Sequence, residues 1–131
     1  MTEQRVVSDR QAQWLRGVLD LAVLATLATD GRSYGYAVMQ SLDAAGIHGL
    51  KGGTVYPVLG RLEADGLVTS AWAAGEKGPG RKWFTITPAG LDALATGATG
   101  WAEFAEGVSA VLSGTRRRRS VRRQRPAAQP A

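Results

Sequence analysis

The sequence predicts a mainly α chain that carries one two-stranded β hairpin. Three observations predict it. Apolar residues recur with a helical period in three segments before Gly66. The period then changes to strand-like runs on either side of a glycine-rich loop, "GEKGPG". After Pro88 a 3-4 apolar repeat takes over and holds for three heptads.

The first segment, "QAQWLRGVLDLAVLATLAT" from Gln11 to about Thr29, is apolar nearly all round. A helix of that kind is a central one, buried on most sides, with Trp14 expected in the core. "DGR" ends it. Ser33 is a suitable N-cap for a second helix, "YGYAVMQSLDAAG", which Gly46 closes. At about 100° per residue, Tyr34, Val38, Leu42 and Ala45 share its inner face, and Tyr36, Gln40 and Asp43 point away.

The linker "IHGLKGG" leads to a third helix within "GLKGGTVYPVLGRLEADGLV". Thr54 is its expected cap, which would place Pro57 among early positions whose N–H has no intrahelical partner. Val55, Val58, Leu59 and Leu62 form the core stripe, and Gly66 stops the helix. "LVTSAWAA" and "RKWFTIT" are the two strands, with Trp72 and Trp83 expected to pack on the hairpin. Thr87 and Pro88 open a long last helix, cap followed by proline at the first position. Its seam is Leu91, Leu94, Ala98, Trp101, Ala105, Val108 and Leu112, a spacing suited to pairing with a second helix. Gly97, Gly100 and Gly107 each cost about 1 kcal/mol of helix propensity relative to Ala, so the seam must recover that or the helix breaks near Gly97 to Gly100.

Three helices followed by a two-stranded wing make a winged helix-turn-helix, here extended by a long C-terminal dimerisation helix. The expected organisation is a flexible segment over 1–10, the winged domain over 11–87, the dimerisation helix over 88–114 and a disordered Arg-rich tail over 115–131.

Charge bears on function only after it is divided. The chain has 131 residues, 44% of them apolar, and a formal charge of +5. Residues 116–131 hold seven arginines and no acid, leaving nine basic and eleven acidic residues elsewhere, a net of −2. Attraction of the body to nucleic acid must therefore come from a local patch. The tail is too charged to fold alone and serves either nonspecific DNA attraction or solubility. The absence of cysteine excludes disulfides and thiolate chemistry and suits an intracellular, cytoplasmic setting. The polar stretch Thr2 to Arg10 does not look like a signal peptide, and the longest apolar run, Val18 to Ala28, is far short of the roughly 20 residues a membrane span needs.

In helix-turn-helix proteins the first turns of the second motif helix enter the major groove. The outer face of the third helix carries Thr54, Pro57, Gly60, Arg61 and Ala64, with Tyr56 at its border. Gly60 and Ala64 are small enough for close approach, Thr54 offers a methyl and a hydroxyl, and Arg61 suits guanine or a phosphate. The competing account is a solvated helix with one exposed aromatic. Lys77, Arg81 and Lys82 cluster on the wing, and with Lys51 and Arg61 they make most of the basic charge outside the tail. They suit either a phosphate clamp or a solvated loop.

Catalytic readings fare worse. "GEKGPG" has the glycines of a phosphate-binding loop but is followed by "RKWFTIT", a strand, where that motif needs Lys-Ser/Thr and a helix. His48 is the only histidine, so metal sites and His–nucleophile pairs lack partners. No enzyme, cofactor or metal is expected. Trp101, on the seam among alanines, is either a dimer knob or one wall of an apolar cavity.

The stretches "LRGVLDLAVLATLA", "SYGYAVMQSL", "GGTVYPVLGRLEADGLV" and "GPGRKWFTITPAG", collinear over about residues 14–91, together resemble the PadR family of bacterial transcriptional regulators. The resemblance implies a homodimer joined by C-terminal helices that represses nearby genes at inverted-repeat operators of double-stranded DNA, relieved by a small molecule, often aromatic. Tyr34, Gly35 and Tyr36, and Gly53 to Pro57, match the family's DNA-facing motifs. Of the two tyrosines, helical placement makes Tyr36 the better phosphate contact. Trp101 lies near a family tryptophan that in some members lines an effector cavity between subunits. One C-terminal helix matches the short subgroup, and the arginine run is outside the pattern. The rival accounts are a winged-helix protein-interaction module and a nonspecific nucleic-acid binder driven by the tail.

Overall fold

The computed structural model describes residues 10–75, 78 and 80–114. The chain divides into two compact units, Met1–Gly97 and Ala98–Ala131.

In the first unit a short helix, α1, covers residues 10–15, and α2 follows over Leu19–Asp30. The single helix expected from Gln11 is interrupted. The N–H of Gly17 reaches back only to the Trp14 carbonyl (3.4 Å) and that of Val18 to Leu15 (2.9 Å), so the i→i−4 ladder gives way to a tighter turn. Trp14 lies before this turn and is 63% exposed, not part of the core as the sequence suggested.

The next two elements are a two-residue strand, β1 (Ser33–Tyr34), and α3 (Gly35–Ala44). Ser33 is not the cap that the sequence pattern predicted. It is buried in β1 opposite Phe84, and Tyr34 occupies the N-cap position with no side-chain cap bond. Val38 and Leu42 are buried as expected, while Ala45 has passed beyond the helix and is exposed.

Helix α4 spans Gly52–Ala64, beginning three residues earlier than Thr54 would allow as its cap. Lys51 occupies the N-cap, its carbonyl accepting from Thr54 (2.9 Å) and Val55 (3.1 Å). Pro57 therefore stands where an N–H would meet the Gly53 carbonyl, past the free positions of the first turn. Gly53 is exposed, so water can take that carbonyl's lone pairs.

Strands β2 (Val68–Ala73) and β3 (Arg81–Ile86) form the predicted hairpin, in register from Val68 opposite Ile86 to Ala73 opposite Arg81. β1 adds a third strand on the other edge of β3, giving the antiparallel order β1-β3-β2. The core joins every layer: Leu19, Val23, Leu24 and Leu27 from α2, Val38 and Leu42 from α3, the four-residue stripe Val55, Val58, Leu59 and Leu62 from α4, and Val68 and Phe84 from the sheet. Each such side chain contributes about 1.5–3 kcal/mol through removal from water, which is what holds α4 in place under its exposed face.

Helix α5 runs over Pro88–Leu112 without a break at Gly97 to Gly100. The Thr87 hydroxyl caps it: the Gly90 N–H donates to Thr87 Oγ1 (3.0 Å), and that hydroxyl donates to the Gly66 carbonyl (2.8 Å). Gly97 has a packing reason to lack a side chain, because a Cβ there would fall 2.3 Å from Leu21 Cδ2.

Candidate nucleic-acid interface

The buried stripe of α4 leaves the opposite side free. Gly53, Thr54, Tyr56, Pro57, Gly60, Arg61 and Ala64 are all exposed, and no acid is among them. Lys51, at the N-cap, is exposed as well. Among the described residues nothing lies within 4 Å of where a Cβ on Gly53 or Gly60 would sit, so the backbone there is open to close approach.

Tyr56 connects this face to the start of α3. Its ring lies so close to Gly35 that a Cβ on Gly35 would stand 2.4 Å from ring carbons Cε1 and Cζ and 2.6 Å from the hydroxyl oxygen. Only glycine leaves room for the ring in that seat. Half of Tyr56 remains exposed, and Tyr36, one residue past Gly35, is 57% exposed. Tyr34 turns the other way. It is half-buried in β1 opposite Trp83, the two rings meeting edge to face at 4.9 Å.

The basic residues of the wing are not equivalent. The Arg81 guanidinium lies 4.2 Å over the Tyr34 ring, and Arg32 lies 4.5 Å over Trp83. Lys82 points to the other side of the sheet, where its Nζ is 3.6 Å from Glu63 Oε1. Glu63 also accepts a short hydrogen bond from the Ser70 hydroxyl. That bond first, and the Lys82 charge after it, hold the Glu63 carboxyl below its ordinary range. The network joins α4, β2 and β3, and it occupies Lys82, which the sequence grouped with the free wing cations. Lys77 lies outside the described residues, as does the tail.

An acid-free α4 face beside a β wing is a fold-level observation until relatives are compared. The model of the "Transcriptional regulator PadR-like family" matches residues 23–96. The chain belongs to this family. A crystal structure of a PadR family regulator from Eggerthella lenta is similar over 87% of this chain and 98% of its own, with 33% identity and a TM-score of 0.74. A PadR-like regulator from Bacillus cereus is similar over 78% of this chain and 98% of its own, with 30% identity and a TM-score of 0.66. Comparison with functionally curated proteins gives no match. PadR membership supports a DNA-binding transcriptional regulator, with the winged-helix architecture that the sequence predicted.

Within this PadR-like chain, Tyr34, Gly35, Tyr36 and Tyr56 come together at the junction of β1, α3 and α4. Sequence reasoning passed over Arg32 and Trp83 as partners at that junction. The alternation of Arg81 and Trp83 on one side of a strand was visible, but their companions are Tyr34 of β1 and Arg32 just before it, and the pairing of β1 was not. His48 lies between α3 and α4, its Nδ1 2.8 Å from Asp43, and both are exposed, which fits a linker residue. Among the described residues no cluster of three or more His, Cys, Asp or Glu could hold a metal, and no helix is long and apolar enough to cross a membrane.

The seam residues of α5 fall in both units. In the first, Leu94 packs half-buried against the core and Leu91 is exposed. In the second, Ala105 is half-buried, and Ala98, Trp101, Val108 and Leu112 are exposed, Leu112 at 80%. Trp101 and Phe104 stand with ring centroids 6.1 Å apart, and Phe104, Gly107, Val108, Val111 and Leu112 line an open apolar groove.

Proposed function

We propose that the chain acts as a homodimeric repressor that binds an inverted-repeat operator and is released by a small-molecule effector, in a cytoplasmic setting. The observation that carries this reading is the exposed, acid-free face of α4, with Tyr56 seated on Gly35 at its edge. In this mechanism residues 11–87 meet DNA. Thr54, Pro57 and Arg61 face base edges or phosphates, while Tyr36, Lys51, Gly53 and Tyr56 approach the backbone around them. Arg81 and the remaining wing cations Lys77 and Lys82 hold flanking phosphates, Lys82 only on release from Glu63.

Residues 88–114 supply the subunit contact through Leu91, Leu94, Ala98, Trp101, Ala105, Val108 and Leu112. What supports that role is the amount of apolar side chain the second unit leaves in water: Trp101, Phe104, Val108, Val111 and Leu112 are all exposed. A dimer sets two α4 helices about one helical turn, roughly 34 Å, apart on a two-fold site. An effector beside Trp101 acts only by favouring a subunit spacing that no longer matches the operator.

The test is fluorescence anisotropy with labelled DNA from upstream of the chain's own gene and with scrambled DNA, at two salt concentrations. It is run on the full chain and on residues 1–115. A preference of about a thousandfold that survives higher salt and tail removal is the expected result. Binding that vanishes with residues 116–131 identifies a tail-driven nonspecific binder. Weak binding throughout, with Tyr56→Ala and Arg61→Ala disturbing a protein complex, identifies an interaction module.

A further inference from the structure

At the base of the wing, four side chains from β1 and β3 and the residue before β1 form one ladder. Register places Tyr34 opposite Trp83, with the rings 4.9 Å apart at 74°. Arg81 precedes Trp83 by two residues, so period two puts it on the same side of β3, where it covers Tyr34 at 4.2 Å. Arg32 covers Trp83 at 4.5 Å. The sequence of contacts is Arg81, Tyr34, Trp83, Arg32. Both rings are half-buried and both arginines exposed.

A guanidinium lying on an aromatic face sheds water from one side and keeps its in-plane N–H edge available. That edge is the one that matches two oxygens of a phosphate. Neither arginine pairs with a carboxylate among the described residues, where the ion pairs are His48–Asp43 and Lys82–Glu63. Lys82, next in sequence to Arg81, is held on the opposite side of the sheet. The uncompensated charge of the described wing is thus collected on the ladder side. Gly35, which carries the Tyr56 ring of α4, directly follows Tyr34, so the ladder adjoins the exposed α4 face.

We infer that Arg32 and Arg81, held over the rings of Trp83 and Tyr34, form a clamp for backbone phosphates of duplex DNA beside the bases that α4 faces. Trp83 is its positioning residue. The clamp rests on the DNA-binding reading above and adds Arg32 and Trp83 to it. A mere brace between β1 and β3 would use the same four side chains, and it predicts effects on stability alone.

The experiment uses the full chain and duplex from upstream of its gene, alongside scrambled duplex, with affinities measured at several salt concentrations. Arg32→Ala and Arg81→Ala are each expected to reduce the slope of log K against log salt by about 0.9. With equal affinities extrapolated to 1 M, that slope change corresponds to about eightfold weaker binding near 0.1 M salt, for both duplexes alike. Trp83→Leu keeps both charges, so it weakens binding at an unchanged slope, and Trp83→Phe recovers part of the loss. Arg32→Gln and Arg81→Gln, which retain most of the stem, replace any alanine variant whose urea midpoint falls. Parent-like slopes in folded arginine variants overturn the clamp and leave the DNA-binding reading standing. A parent that binds neither duplex overturns both.

Discussion

Gly35→Ala tests the seat of Tyr56 directly. The added Cβ would stand 2.4 Å from two ring carbons of Tyr56 and 2.6 Å from its hydroxyl oxygen, closer than real contacts allow. These are the far atoms of a half-exposed side chain, so the ring can swing outward without opening the core. The cost is then the lost burial of roughly half a tyrosine, set against the better helix propensity of alanine at the first residue of α3. The net is a loss of about 1–2 kcal/mol, within the usual range for overpacking. Urea unfolding of the parent, Gly35→Ala, Tyr56→Ala and the double variant forms a complete cycle. With the ring removed, Gly35→Ala should become neutral or stabilising by up to about 1 kcal/mol. An equal loss in both backgrounds would refute the reasoning, because the penalty would then lie in the backbone and not in the ring.

Leu59→Ala, at a position with no exposure, should cost about 2–5 kcal/mol in the same urea assay, since it leaves a cavity beneath the α4 face. Thr87→Ala removes the cap of α5 and should cost about 1 kcal/mol, with a parallel loss of helical ellipticity. Glu63→Gln should be destabilising at neutral pH. The folded-state pKa of Glu63 is lowered, so its contribution is present above the unfolded value and is lost as pH falls through the folded one. The urea midpoints of parent and variant should therefore converge on acidification. A gap that persists at the acid end would show that the carboxylate charge is not the source.

Local periodicity made much of this fold legible. The α4 stripe and the buried pair Val38 and Leu42 follow from 100° spacing, and the Thr87-Pro88 pair marked the start of α5 because capping depends on adjacent residues only. What escaped the sequence is non-local or finely placed. Ser33 and Tyr34 look like the approach to a helix, and only their pairing with β3 makes them a strand. Lys82 looks like another free cation until Glu63, from α4, is brought against it. Trp14 fits a helix that is apolar all round, but the turn over residues 16–18 separates it from that helix. Thr54 is a better cap by residue type than Lys51, yet the chain starts the helix earlier and tolerates Pro57 inside it.

The pairing of Ser33 with Phe84 has a temporal consequence. These residues are some fifty positions apart, and the loop between them contains both helices of the helix-turn-helix. Helices α2, α3 and α4 meet through shorter chain separations, whereas β1 has no partner until β3 has been made. During synthesis the three helices can therefore collapse first, with Ser33 and Tyr34 still unpaired. The aromatic ladder, and with it the alignment of both arginines, closes only once residue 84 has left the ribosome. Closure of this third strand is thus a late event in the life of each chain, and it should follow helix formation in a refolding trace that monitors tryptophan fluorescence beside ellipticity.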